Sequence, residues 1–140
     1  MKNKYLISVL FLIILNVHSQ NIAEHYKADQ FEAAIFPKTS DGFTPNKNEI
    51  LKAEKCLKSK LKNLKVDLEN IEKYKRQYFG LYDENENVYL LINFFIPNKI
   101  LEEIWLDKKI IIKDGGSNYW NIKYYIDTDE LKDLNVNGNS

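Results

Sequence analysis

The chain contains a single arginine, Arg76, and it stands between Tyr74 and Tyr78. On a strand, residues two apart share a face, so the three side chains would project together. A guanidinium flanked by two phenols can grip a carboxylate or phosphate through paired hydrogen bonds, or stack on a ring. The same trio can instead serve the fold, with Arg76 pairing an internal acid and pinning the sheet to a helix or to the tail. That second role is the stronger expectation, because nothing near Arg76 in sequence supplies a nucleophile or a base. A further set of candidates is aromatic: Tyr89, Trp105, Tyr119, Tyr124 and Tyr125, in a chain with 9 tyrosines and 2 tryptophans. Aromatic side chains are favoured at the centres of binding surfaces. They equally suit half-buried strand positions, with rings packed and hydroxyls wet.

Other chemistry is thinly supported. Cys56 is the sole cysteine, so no internal disulfide can form, and it falls within a helical pattern as a half-buried thiol. A thiol nucleophile needs a histidine beside it, and His25 stands far away in a polar segment. Asp83, Glu84 and Glu86 form one acidic cluster, and Asp127, Asp129, Glu130 and Asp133 another. Asp127-Thr128-Asp129 resembles the opening of a calcium loop, but the glycine and closing glutamate are missing, so both clusters read as solvated loops. Glu102 and Glu103 have no fixed partner for a carboxylate-pair mechanism. Asp114-Gly115-Gly116 leads from one strand-like run into another, without Gly-x-Gly spacing or a helix behind it. It predicts a hairpin turn, not a phosphate cradle. No metal site and no cofactor is expected. Nucleic acid is not an expected partner either: basic and acidic residues balance at 20 each and are interspersed.

The elements that must position these residues follow from periodicity. Residues 20–43 hold little of it and are expected to form an extended or loop segment ahead of a domain at 44–140. Thr44-Pro45 suits a cap and first helical residue, with Asn46 and Glu49 as an alternative capping box. Ile50, Ala53, Leu57, Leu61 and Leu64 then recur at three and four, with lysines between them, which predicts an amphipathic helix ending near 63–65. A membrane-surface helix has a similar pattern, but this stripe lacks Trp and Phe, and core packing is the better reading. Strands are expected at 74–82, 88–96, 109–113 and 119–126, with one helical turn possible at 100–105 and a polar tail beyond Asp127. Short links favour antiparallel neighbours. The predicted fold is therefore α+β: one long helix on a curled sheet of about four antiparallel strands, a cystatin-like or similar roll.

The first residues bear on location. Lys2 and Lys4 precede an apolar run from Tyr5 to Leu15, and Val17 and Ser19 place small side chains before Gln20. That order is the pattern of a secretory signal peptide over 1–19. The run falls well short of the roughly 20 residues that a spanning helix needs. An exported protein, periplasmic or extracellular, with no membrane span after cleavage is the expectation.

Three segments carry a family likeness: Tyr74-Lys75-Arg76-Gln77-Tyr78-Phe79-Gly80, Asp114-Gly115-Gly116 with Tyr119-Trp120-Asn121-Ile122, and Val136-Asn137-Gly138. Over roughly 44–138 the chain resembles a group of small exported or lipid-anchored proteins of Bacteroidota with no assigned activity. Members often carry cysteines in the long strand and after the Gly-Gly turn. Here those neighbourhoods hold Phe94 and Phe95, and Asn118 and Tyr119, so that disulfide is absent. The resemblance transfers no functional residue.

The functional expectation is a binding or accessory domain acting through an aromatic-rich sheet surface on a protein or glycan. The alternatives are an inhibitor of an extracellular enzyme or, less favoured, a small hydrolase.

Overall fold

The structure, a computed structural model, describes residues 22–63 and 70–137. The expected leader, and Leu64 in the helical stripe, lie outside the described residues.

Among the described residues, seven strands and two helices are formed. Glu24–Lys27 (β1) and Glu32–Ile35 (β2) make an antiparallel hairpin. A two-residue strand, Gly42–Phe43 (β3), precedes the long helix Lys47–Lys60 (α1), which tightens into a 3-10 turn at Leu61–Asn63. After a second 3-10 turn at Ile71–Lys73 come Lys75–Tyr82 (β4) and Val88–Phe95 (β5). The short helix Lys99–Ile104 (α2) follows, then Gly116–Tyr125 (β6) and Glu130–Asn137 (β7). Asn46, not Thr44, caps α1: its side chain accepts from the Glu49 amide while the Glu49 carboxylate accepts from the Asn46 amide. Thr44 instead accepts from the Lys38 amide through its hydroxyl.

The strands form one mixed sheet in the order β1-β2-β4-β5-β6-β7, with β3 also paired to β4. The predicted curled, four-stranded antiparallel roll is thus overturned. The segment before α1 supplies three strands, and β2 runs parallel to β4, with Ala33 opposite Arg76 and Ile35 opposite Tyr78. The connection between β2 and β4 carries α1, so it has the length that a parallel crossover requires. β3 meets β4 further along, with Phe43 opposite Gly80. A Cβ on Gly80 would lie 2.5 Å from the Phe43 carbonyl oxygen, so only glycine permits this approach. The expected strand at 109–113 does not form, so Asp114-Gly115-Gly116 is a bend entering β6 and not a hairpin turn. The expected polar tail is β7, opposite Asn121 to Tyr125 and beyond.

Alternation along the strands gives the sheet two buried faces. On the first, α1 lays Ile50, Ala53, Cys56, Leu57 and Leu61 over Tyr78, Leu90, Ile92, Phe94, Trp120, Ile122 and Tyr124. Each large aliphatic side chain so buried contributes about 1.5–3 kcal/mol relative to exposure. Phe94 and Trp120 stack at 3.8 Å between ring centres. On the second face α2 and the loop after it bring Leu101, Trp105 and Ile110 against Phe95, Tyr119, Ala34 and Phe36.

Candidate functional site

Arg76 points into the first face, beneath α1, and is 2% exposed. Its Nε lies 2.7 Å from Glu54 Oε1, off the hydrogen-bonding line, and Nη1 donates to the Tyr74 carbonyl at 2.8 Å. The Tyr78 hydroxyl donates to the same Glu54 oxygen at 2.5 Å. Phe31 and Phe94 place their rings about the guanidinium, with centres 5.0 and 5.2 Å from its carbon. Burial pushes the Glu54 carboxyl up, against the opposing pull of Arg76, and pushes the Tyr78 phenol well up. Arg76, Tyr74 and Tyr78 therefore do lie together, in the protein interior, where Arg76 links β4 to α1.

Trp105 and Tyr119 lie on the opposite face, under the segment that follows α2. That segment is tied to the sheet by amide side chains, not by a strand ladder. Gln77 donates through Nε2 to the carbonyls of Trp105 and Lys108, both at 2.8 Å, and accepts through Oε1 from the Ile110 amide at 2.8 Å. Asn93 donates to Gln77 and to the Ile110 carbonyl, and the Tyr119 hydroxyl donates to that carbonyl as well. Gln77 and Asn93 face each other across β4 and β5. Their four-way bonding explains why an apolar run at 110–112 lies over a sheet without joining it.

Tyr124 belongs to the first face, and its hydroxyl donates to Asp129 at 2.8 Å. Cys56 is buried nearby, with Sγ 3.5 Å from the Asp129 carbonyl oxygen, and burial pushes its thiol up. His25 packs edge-on against Trp105 of the second face and contacts Glu32 at 3.0 Å. The thiol and the imidazole thus lie on opposite sides of the sheet and form no nucleophile pair. Among the described residues no group of three or more histidine, cysteine or acidic side chains is arranged to hold a metal.

Tyr89 and Tyr125 stand apart from the other candidates. The strand register sets the second face in four rows: Lys75-Phe95-Tyr119, Gln77-Asn93-Asn121, Phe79-Leu91-Lys123 and Leu81-Tyr89-Tyr125. In the first two rows every β4 and β5 residue but Lys75 is buried, and α2 with its following loop covers them. All six residues of the last two rows are half-buried. Leu81, Leu91, Tyr89 and Tyr125 belong to neither core cluster. The Tyr89 and Tyr125 rings pair at 5.5 Å. A lysine ammonium lies over each ring of this region: Lys109 over Phe79 at 5.5 Å, Lys123 over Tyr89 at 5.2 Å, and Lys132 over Tyr125 at 5.0 Å. The open half-face is apolar with a cationic fringe.

Sequence reasoning singled out Tyr89 and Tyr125 but missed Phe79, Leu81, Leu91, Lys109 and Lys123. The signal lay in the registers of two antiparallel strand pairs, which align odd-numbered residues of three consecutive strands. No family model matches the chain, and neither a curated protein nor a solved structure matches it. What stands is a small α+β domain with a buried aromatic cluster. Among the described residues no helix is long and apolar enough to cross a membrane.

Proposed function

We propose that the protein is an exported binding or accessory domain whose partner docks on the open half of the second sheet face. One observation carries this reading. Two adjacent rows of Phe, Leu, Tyr and Lys are left half-buried beside two rows that the chain covers itself. A sheet face that serves only the fold is either packed or polar, whereas this one leaves rings and leucines half-buried. Export rests on the charged, apolar and small-residue order of the first nineteen positions.

The test is retention from periplasmic or culture extract on the immobilised chain, compared with a Tyr89→Ala/Tyr125→Ala variant. A partner held by the first and released by the second, at equal melting temperatures, is the expected result. Identical retention by both would place the activity elsewhere on the molecule.

A further inference from the structure

The three ammonium groups over the open half-face differ in one respect. Lys123 is paired with Asp133 at 2.8 Å and Lys132 with Glu130 at 2.9 Å. Lys109 has no carboxylate within ion-pair distance among the described residues. Its residue is exposed as a whole, yet burial around the ammonium holds its pKa below the ordinary lysine range. It stands within the amide-tied segment, two residues before Ile111, which is 73% exposed, and its ammonium lies over Phe79, which stacks on Phe36 at 4.6 Å.

Resting on the binding role assigned above to this half-face, we propose that its partner is a protein segment that sets a carboxylate against Lys109 and an apolar side chain on Phe79 and Leu91. Covering the face removes more water from Lys109, and a cation stripped of water is tolerated only beside an anion. The two other lysines already have their anions and need none from the partner. The row residues Phe79, Leu81 and Leu91 offer no hydrogen-bonding side chains, which suits apolar protein side chains better than the hydroxyl-rich edge of a sugar. An exposed lysine at a rim also steers an acidic partner in solution.

A random-peptide display library selected on the full chain tests this directly. Enriched peptides are expected to carry Asp or Glu next to an aliphatic or aromatic residue. Their affinity should fall as salt rises, and should weaken about tenfold on Lys109→Met while surviving Lys109→Arg. Peptides enriched without an acid, or bound equally by Lys109→Met, would remove the carboxylate inference and leave the docking face standing. Peptides that bind the Tyr89→Ala/Tyr125→Ala variant as well as the parent would remove the docking face itself. Failure of the library to enrich anything, with retention of the chain on polygalacturonate, would assign the face to acidic glycans and overturn the proposal.

Discussion

Glu54 of α1 and Arg76 of β4 meet in the interior of the protein, with Nε 2.7 Å from Oε1 and exposures of 4% and 2%. Such a pair contributes little net stability over a well-packed apolar substitute, because both ions lose their water. Breaking it is another matter. Arg76→Ala leaves the Glu54 carboxyl buried without its cation, hydrogen-bonded by the Tyr78 hydroxyl, and removes the guanidinium between two phenyl rings. The expected loss is about 3–5 kcal/mol in chemical denaturation. The double variant Glu54→Gln/Arg76→Met should recover a large part of it. A single variant of near-parental stability would show that the pair does not join helix to sheet.

The same pair gives stability a pH dependence of defined sign. Burial raises the folded-state pKa of Glu54 above its unfolded value, despite Arg76. The folded state then binds the proton more tightly than the unfolded state, so this residue's contribution falls as pH rises through that window. The window opens near the ordinary 4.5 of a glutamate and closes at the raised folded value. Half-buried Glu32, held down against the effect of burial by its hydrogen bond with His25 and the charge of Lys75, acts in the opposite sense, losing stability as pH falls. Subtracting the stability of Glu54→Gln from that of the parent isolates the Glu54 part. The difference should decline as pH rises above the ordinary glutamate value of 4.5. A flat or rising difference would mean that Arg76 outweighs the cost of burial.

Gln77 anchors the cover of the second face through a single side chain. Gln77→Leu keeps the volume and deletes bonds to Trp105, Lys108 and Ile110. Each backbone group so orphaned in the interior costs about 1–3 kcal/mol, partly relieved if water enters. The loss should be local first. Amides of 106–112 are expected to exchange hydrogen faster, and proteases to cut there, before α1 responds. Uniform loss of protection across the sheet would contradict a locally held cover.

These relationships also show what sequence could and could not reveal. α1, β4, β5 and β6 were legible because long apolar stripes or alternations repeat enough times to be read. β1, β2 and β3 were not, since runs of four and two residues carry too little pattern, and their pairing with β4 is a long-range event. β7 resembles a polar tail in sequence because Asp133, at φ 55°, breaks its alternation at an irregularity in register. Ile110-Ile111-Ile112 looked like a strand, but Gln77 and Asn93 take the backbone bonds that a neighbour strand would have made. For the site, the grouping of Arg76, Tyr74 and Tyr78 was foreseeable from spacing. The placement of Tyr124 and Tyr125 on opposite faces follows from the same rule. That Phe79 and Leu91 join Tyr89 required registers that no single strand encodes.

If the open half-face is kept for a partner, its residues should contribute little to folding compared with their counterparts under α1. Tyr89 and Tyr125 are paired across β5 and β6, as Phe94 and Trp120 are, but one pair is half-buried and the other is not exposed at all. Tyr89→Ala and Tyr125→Ala are each expected to cost about 1 kcal/mol or less, the scale of a cross-strand pair. Phe94→Ala is expected to cost about 3–5 kcal/mol, the scale of a cavity in a packed core. Urea denaturation of the three variants separates the cases. Comparable losses for Tyr89 and Phe94 would mean that both faces are consumed by the fold, and the surface would then have nothing left to offer a partner.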